Sequence, residues 1–410
     1  MTFLKLGFRS LFRQKRRTLI TLLVITFGIG CLLLTTGHSV YIDWVLREST
    51  IHSETGHLQL FNPQYFEQEE ETILQYSLDN YEMIIDNLIQ LKGVMLVQAR
   101  IDFMGLVSNG DKSVAFLGKG VEPDKEKKLR TLFGSTGSDY NSLIAYQPDT
   151  DVIILGKGLA ASMDAEIGDW LTLMATTADG ALNAVDVKVV DTFDGGMAEY
   201  DKRALIIPLK TAQILLNSQK VEKLLVTLDD TENTDQMYNR ITCMTANQDK
   251  QVSIRKWHEQ AAYYKQVRQF YKQITGFLSL VLFIIVFFST SNTVVMSIVE
   301  RTQEIGTLLS LGTSRWQTLK MFFFEGLLIG LIGGLLSCVF ALGFSFIINH
   351  FNIVLSPPPG FAEGYPLSVR NQADFYLQIF IVTVMVAMFS SLVPVFRVTR
   401  MKIVDALGHI

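Results

Sequence analysis

The stretch SIVERTQEIGTLLSLGTSRWQTLKMFFFEGLLIGLIGGLLSCVF, residues 297–340, decides how the chain is organised. Its first half is polar and carries both acidic and basic residues, and its second half is a long apolar run. A helix needs about 20 apolar residues to cross the hydrocarbon core of a membrane. The stretch therefore predicts a polar loop that leads directly into a membrane span.

Comparable apolar segments occur on both sides of this stretch. The predicted spans are Thr18–Gly37, Ile274–Val299, Met321–Ile348 and Phe375–Val395. Hydrophobic residues make up 49% of the 410 residues and charged residues 19%, which is unusual for a soluble protein. We interpret the first segment as a retained anchor, because its apolar run exceeds the roughly 7–15 residues typical of a signal peptide. The chain is therefore predicted to be an α-helical membrane protein with four transmembrane helices.

Basic residues are distributed unevenly among the segments that connect the spans. Residues 1–17, 300–320 and 396–410 together contain 12 basic and three acidic residues. Short loops rich in Lys and Arg remain in the cytoplasm. We therefore expect a cytoplasmic basic amphipathic helix at 1–17, a cytoplasmic coupling loop at 300–320 and a cytoplasmic tail at 396–410. Both termini are then cytoplasmic, and residues 349–374 form a short extracytoplasmic loop.

The long segment between the first two spans is predicted to be a large extracytoplasmic domain. Residues 38–273 contain 34 acidic and 23 basic residues, and we attribute this acidity to solubility. β-Prone runs such as Val152–Leu155 and Ala204–Pro208 alternate with amphipathic helical segments such as Tyr81–Leu91. Asn109-Gly110-Asp111 is a hairpin turn signal. These patterns predict an α+β domain of two subdomains.

The end of this domain has the pattern of a helix that continues into the second span. From Ile254 to Phe277 there is no proline, the first glycine is Gly276, and apolar residues recur at three- and four-residue spacing. We therefore predict a helical stalk that starts near Ile254. Val40–Glu48, which follows the first span, is the matching stalk segment.

Patterns typical of catalytic or metal sites do not occur. Residues 105–113 resemble a phosphate loop but carry Asp111 where a glycine should precede Lys112. Neither HExxH nor GxSxG is present, and the three cysteines are too far apart for a paired zinc site. A net charge of −4 gives no support for nucleic-acid binding. We expect no catalytic residue, cofactor or metal in this chain, and no nucleic-acid partner.

The loop before the third span contains a short amphipathic helix. Ile305, Leu308, Leu309 and Leu311 supply its apolar side, and Gly312 interrupts it. Thr313 or Ser314 is placed to cap the helix that follows. Such a helix lies in the membrane interface or docks a cytoplasmic partner.

Residues 300–334, ERTQEIGTLLSLGTSRWQTLKMFFFEGLLIGLIGG, resemble the signature of the FtsX-like permeases of ABC transporters. This family includes macrolide exporters of the MacB type and the lipoprotein-releasing Lol permeases. LGFRSLFRQKRRTLITLLVITFGIG and PVFRVTRMKIVDALGHI are similar to its N-terminal and closing segments. VIILGKGLAASMDAEIGDWLTLMA and DGGMAEYDKRALIIPLKTAQILL are similar to its periplasmic domain. The resemblance covers nearly the whole chain.

The resemblance implies a permease of the bacterial inner membrane that works as a homo- or heterodimer with a separate cytoplasmic ABC ATPase subunit. ATP and Mg²⁺ would bind to that partner. The implied ATPase-coupling residues are Glu300, Arg301, Glu304, Ile305, Leu308, Leu311, Gly312 and Arg315. The family also implies mechanotransmission, in which ATP hydrolysis moves the external domains instead of driving substrate through a pore.

Two differences exclude branches of this family. The chain has no Walker motif, unlike the macrolide exporters with a fused ATPase, and its external domain is too large for the cell-division branch. Lipoprotein release, or extrusion of an amphipathic substrate, is the expected function. A periplasmic lipoprotein carrier or adaptor and membrane lipids are the expected partners. The alternative is a transmembrane regulator that transduces ATPase motion to an external hydrolase or a ligand-sensing partner.

Small and polar residues within the spans have two interpretations each. Gly326, Gly330 and Gly334 form a face for close helix packing, within one subunit or at a dimer seam. The polar run 289–293 provides interhelical hydrogen bonds or lines a substrate cavity. Glu325, about one turn past Lys320, is expected at the membrane interface.

Overall fold

The computed structural model describes residues 15–66, 76–132, 151–195, 198–245, 252–355 and 365–398. The predicted N-terminal helix and the cytoplasmic tail lie almost entirely outside these residues. The chain divides into two compact units. The membrane unit contains the residues up to Trp44, Val267–Val354 and the residues from Pro366 onward. The large domain is built mainly from Val45–Gln266.

Helices and strands alternate along most of the described chain. The helices are α1 Lys15–Thr50, α2 Tyr81–Ile89, α3 Pro123–Leu132, α4 Lys157–Met163, α5 Ala198–Asp201, α6 Leu209–Leu215, α7 Thr234–Thr245, α8 Trp257–Gln260, α9 Ala262–Glu300, α10 Thr302–Ser310, α11 Arg315–Phe351 and α12 Ala373–Val398. The strands are β1 Leu58–Phe61, β2 Val94–Ser108, β3 Ser113–Val121, β4 Val152–Gly156, β5 Trp170–Thr176, β6 Leu182–Phe193, β7 Ala204–Pro208, β8 Lys223–Leu228, β9 Ser253–Lys256, β10 Val354–Leu355 and β11 Tyr365–Pro366.

Four helices of the described chain, α1, α9, α11 and α12, are long and apolar enough to cross a membrane. Each contains one predicted span and continues beyond it. α9 begins only at Ala262, after strand β9 and the short helix α8. The predicted start of the stalk helix near Ile254 is therefore wrong: Ile254 lies in β9, which pairs with β1. Ala261 separates α8 from α9.

The strands of the large domain form one sheet with two parts. β2, β3, β7, β4, β6 and β5 pair in that order and close into a ring, because β3 pairs with both β7 and β2. The first half of β2 continues into a second part with β8, β1 and β9. The predicted division into two subdomains is visible only as these two parts, which share β2 and a common apolar core.

Local sequence signals position the ring. β2 and β3 form an antiparallel hairpin in which Ser108 faces Ser113, as the predicted turn at Asn109-Gly110-Asp111 requires. Gly110 has a φ of +96°. The inner side of the ring carries buried side chains such as Val107 and Leu173, and helices α4 and α6 add Leu159 and Leu215 to the same core. This part of the fold follows from alternation of apolar residues.

Candidate functional site

α10 (Thr302–Ser310) connects the second and third spanning helices. Gly312, in the turn after it, has a φ of +93°, which glycine adopts without a steric cost. The Ser314 hydroxyl then accepts a hydrogen bond from the Gln317 amide, and the Gln317 side chain accepts one from the Ser314 amide. This capping box starts α11. The predicted interruption at Gly312 and cap at Ser314 are confirmed.

Ile305 of α10 faces the membrane helices. Its side chain is buried with Val294 and Ile298 of α9 and Phe322 of α11. Burying an aliphatic side chain of this size stabilises by about 1.5–3 kcal/mol. Ile305 therefore anchors α10 to both neighbouring helices and is not available for the direct partner contact predicted for it.

The exposed part of this segment is the outer side of α10 and the turn that follows. Leu311 is 78% exposed and Trp316 is 71% exposed. Glu304 and Gly312 are also exposed. We call these four residues the loop surface. Trp316 is absent from the predicted set, although a tryptophan among polar residues just after a helix cap is a recognisable signal.

Two further predicted coupling residues lie at the end of α9. Arg17 Nη1 donates to Glu300 Oε1 at 3.1 Å, so Glu300 links the ends of α1 and α9. Arg301 beside it is half-buried. The side chains of Leu308 and Arg315 lie outside the described part of the structure, although both residues belong to described helices.

The three glycines of α11 pack against α12 of the same chain. A methyl group at Gly326 would meet Ser391 Oγ at 2.6 Å, one at Gly330 would meet Ala387 Cβ at 2.9 Å, and one at Gly334 would meet the Phe380 ring at 2.9 Å. Contacts this short permit nothing larger than glycine. Within this chain the glycine face is therefore filled by α12.

α1 is attached to the other end of the same helix pair. The Arg370 amide donates to the Gly37 carbonyl of α1 at 3.1 Å. Asn349 of α11 makes two 2.9 Å hydrogen bonds to the backbone of Val369. Deeper in the bundle, a methyl group at Gly333 would lie 2.8 Å from Ile25 of α1. α1, α11 and α12 thus form a tightly connected group.

α9 contacts this group through polar side chains as well as apolar ones. Thr293 and Thr21 of α1 have their hydroxyl oxygens 2.5 Å apart. Ser297 donates to Glu325 Oε1 of α11 at 3.1 Å. All four side chains are buried. Thr293 therefore takes part in interhelical hydrogen bonding, the first interpretation of the polar run, and Glu325 is buried between helices.

In the large domain, the segments that connect to α1 and α9 lie side by side. β1 and β9 are antiparallel neighbours, with Leu58 opposite Lys256. Ile51, Trp257 and Tyr264 are buried in one apolar cluster. The two connections to the membrane unit therefore leave from one edge of the sheet.

Two buried histidines lie at the same place. His57 Nδ1 accepts a hydrogen bond from the Leu228 amide at 3.1 Å, and its Nε2 lies 3.0 Å from the Thr231 hydroxyl. This arrangement requires a neutral ring that is protonated on Nε2. Burial, with further contributions from the neighbouring His52 and Arg47, lowers the pKa of His57 to about 3. Burial lowers the pKa of His52 to about 4.

The described residues contain no group of three or more His, Cys, Asp or Glu side chains able to hold a metal ion. The buried Arg100–Glu126 pair, 2.9 Å apart, satisfies its charges internally. Within the described chain, the geometry thus presents an exposed loop surface joined to a helix bundle.

Two family matches together cover most of the chain. Residues 18–242 match the MacB-like periplasmic core domain, and residues 276–403 match the C-terminal domain of FtsX-like permeases. The first match alone spans more than half of the chain. The chain belongs to the FtsX-like, MacB-type permeases of ABC transporters.

Relatives of known name agree with this assignment. The lipoprotein-releasing system transmembrane protein LolE of Haemophilus influenzae is 22% identical over 80% of each chain. LolC of Neisseria meningitidis serogroup B is 24% identical over 64% of this chain and 65% of that protein. The macrolide export ATP-binding/permease protein MacB of Acinetobacter baylyi is 25% identical over 42% of this chain and 26% of that protein.

The predicted family and fold class are therefore confirmed. The chain is an inner-membrane permease with four spanning helices and a periplasmic α+β domain between the first two spans. Permeases of this type work with an ATPase subunit that uses ATP and Mg²⁺.

Proposed function

We propose that this permease couples ATP hydrolysis by a separate cytoplasmic nucleotide-binding subunit to motion of its periplasmic domain. The observation that carries the proposal is α9, a single uninterrupted helix of 39 residues. It follows β9 and α8 at one end and leads into α10 at the other. At 1.5 Å per residue such a helix is about 58 Å long, and it transmits displacement along its axis because its backbone is fully hydrogen-bonded.

The loop surface is the proposed docking site of the ATPase subunit. Leu311 and Trp316 expose large apolar side chains beside Glu304, and aromatic anchors with charged neighbours are typical of protein interfaces. Ile305 does not contact the ATPase subunit in this proposal. Its buried side chain connects the loop surface to α9 and α11.

The proposed orientation places both termini and α10 in the cytoplasm. Its support is the excess of basic residues in the segments 1–17, 300–320 and 396–410. A cysteine introduced at Gly312 should therefore be protected from a membrane-impermeant thiol reagent in spheroplasts. One introduced at Gly110 should react, and the opposite labelling would contradict the orientation.

Release of lipid-anchored proteins is the proposed activity, with extrusion of an amphipathic molecule as its close variant. LolE, whose name describes a lipoprotein-releasing system, is matched over four-fifths of both chains, whereas the matched part of MacB is much shorter. A second permease chain, identical or different, and a periplasmic lipoprotein carrier or adaptor complete the proposed complex.

The docking step is tested by co-purification. Leu311→Asp should abolish capture of the ATPase subunit by the tagged permease, because it places a charge in an apolar contact. Trp316→Ala and Glu304→Lys should weaken capture. Ile167→Asp is the matched control, since Ile167 is equally apolar and 66% exposed in the large domain. Unchanged capture by Leu311→Asp would contradict the docking site.

The activity is tested in proteoliposomes that contain the permease and its ATPase. ATP should release a lipid-anchored protein from the membrane. If ATP changes the conformation of the large domain but releases neither a lipoprotein nor an amphipathic dye, the chain is a regulator of an external partner instead of a transporter.

A further inference from the structure

The four spanning helices are buried to different extents. Of the most apolar 18-residue stretch of each helix, 33% is buried in α1 and in α11, 22% in α12 and only 11% in α9. A helix with little side-chain packing loses little when it moves along its neighbours. Within this chain α9 is therefore the spanning helix with the smallest apolar resistance to displacement, although Val286, Val294 and Ile298 are buried.

Three buried polar residues of α9 follow one another at intervals of about one helical turn. Thr290, Thr293 and Ser297 are spaced three and four residues apart, so they lie on one face. All three are buried, as are their neighbours Thr21 and Glu325. Thr293 contacts Thr21, and Ser297 contacts Glu325.

Thr290 differs from the other two because its hydroxyl has no hydrogen-bond partner among the described residues. A buried hydroxyl without a partner is unfavourable in an apolar environment. It lies one turn before Thr293, on the face that meets α1. The Thr290 hydroxyl is therefore able to form a hydrogen bond like the one that Thr293 makes with Thr21.

We propose that α9 shifts by one helical turn along α1 and α11, toward α10. In the shifted state Thr290 replaces Thr293 beside Thr21, and Thr293 replaces Ser297 beside Glu325. Three or four residues correspond to a displacement of about 5 Å. Both buried hydrogen bonds are formed again after the shift, so the two states have similar polar contacts.

The contacts nearer the two ends of α9 are compatible with the same exchange. Ser39 and Thr275 have hydroxyl oxygens 3.2 Å apart, and the residue three positions before Thr275 is Lys272, which also donates hydrogen bonds. At the other end Glu300 leaves Arg17, and Ser297 moves into its place. The Glu300 side chain is 54% exposed, so losing this ion pair costs little.

One-turn shifts between two packed arrangements are a known form of switching in proteins. Here α11 and α12 provide a fixed reference, because their glycine contacts leave no room for sliding. The claim that ATPase docking drives the shift rests on the proposed function. The existence of two registers is independent of that function. The following experiment tests the two claims separately.

The experiment uses disulfide cross-linking of the full chain in membranes, together with its ATPase, after replacement of Cys31, Cys243 and Cys338. Thr21→Cys with Thr293→Cys tests the observed register. Thr21→Cys with Thr290→Cys tests the shifted one. The control pair combines Ser345→Cys with Asn371→Cys, whose native side chains are hydrogen-bonded at 2.9 Å. A membrane-permeant copper oxidant is applied without nucleotide and with ATP trapped by vanadate.

The control pair and the Thr293 pair should cross-link without nucleotide. The Thr290 pair should cross-link when ATP is trapped, with a corresponding decrease for the Thr293 pair. Cross-linking of the Thr290 pair to the same extent with and without ATP would support the two registers and contradict the coupling to ATP. No cross-linking of the Thr290 pair in any state, with the control pair intact, would overturn the proposal.

A second measurement examines the hydroxyl of Thr290 itself, in a chain that carries cysteines at Ser39 and at Thr275, whose native hydroxyl oxygens lie 3.2 Å apart, as reporters of the observed register. Thr290→Val keeps the shape but removes the hydroxyl, and Thr290→Ser keeps the hydroxyl. Because hydrogen bonds within membranes contribute modestly, Thr290→Val should lower the nucleotide-dependent change in reporter cross-linking about threefold. Thr290→Ser should restore it, and an equal response of both variants would contradict a role for the hydroxyl.

Discussion

The membrane unit packs its helices in two ways. α11 and α12 meet at a seam formed by Gly326, Gly330 and Gly334, whereas α9 contacts its neighbours differently. In the seam, glycines bring the helix backbones so close that an added methyl group meets its neighbours at 2.6–2.9 Å. α9 instead meets α1 and α11 through single hydroxyl and carboxylate groups together with apolar side chains such as Val286 and Val294. Close packing specifies one arrangement, whereas equivalent polar groups spaced one turn apart are compatible with two.

The largest effect is expected from a bulky residue in the seam. Gly330→Leu would place atoms within 3 Å of Ala387 and Val384, so α12 must move away. We expect a loss of about 3 kcal/mol and a clearly lower unfolding temperature in detergent, followed by tryptophan fluorescence.

Gly343→Leu on the same helix is the matched control for the seam. A side chain at Gly343 meets no atom within 4 Å, so the unfolding temperature should remain close to that of the parent protein. Equal destabilisation by both substitutions would remove the distinction between a fixed seam and a mobile helix.

A break in α9 should have an intermediate effect, and it should appear as a loss of coupling between ATP hydrolysis and transport. Gln266→Pro removes a backbone hydrogen bond and kinks the helix at a local cost of about 3 kcal/mol. ATP hydrolysis by the complex should continue at a substantial rate, while transport should be lost.

Gln266→Ala is the control for this break, because Gln266 is exposed and alanine favours a helix. It should retain both activities. Normal transport by Gln266→Pro, with the kink confirmed, would show that α9 is only a tether.

A smaller effect is expected from pH, at the buried His52 and His57 that precede β1 in the large domain. The pKa values of His52 and His57, lowered by burial to about 4 and 3, lie below the ordinary value of about 6.5. Unfolding releases the rings to bind protons, so their contribution to stability is complete above pH 6.5 and decreases as the pH falls from 6.5 toward 4 and below.

The unfolding temperature of the full chain should therefore decrease on acidification over this range. His52→Gln combined with His57→Gln should flatten the decrease, whereas His258→Gln, at an exposed position, should leave its slope unchanged. The same slope in the double variant would show that other groups determine the acid sensitivity.

Several features followed from local sequence. The four apolar runs, the turn at Asn109-Gly110-Asp111, the interruption at Gly312 and the cap at Ser314 are each encoded within a few residues. Helix length, positive φ at glycine and side-chain capping depend on nearby atoms alone. The family was also recognisable at this level, because its signature lies in one continuous stretch.

Other features depended on contacts between distant residues. Ile254 has helical spacing around it, yet it pairs with β1, nearly 200 residues earlier in the chain. Ile305 has the pattern of an exposed amphipathic helix, yet it is buried between α9 and α11. Neither partner is visible from the residues beside it, because strand pairing and apolar burial are satisfied across the fold.

By itself the sequence determined that this chain crosses a membrane four times, carries an α+β domain between the first two spans and belongs to the FtsX-like permeases. Only the tertiary structure decided which helices are fixed to one another. The same glycines fit a packing face or a dimer seam, and the same hydroxyls fit a cavity wall or a helix contact. Their roles depend on which neighbour comes within about 3–4 Å, and that distance is set by the packing of all four helices together.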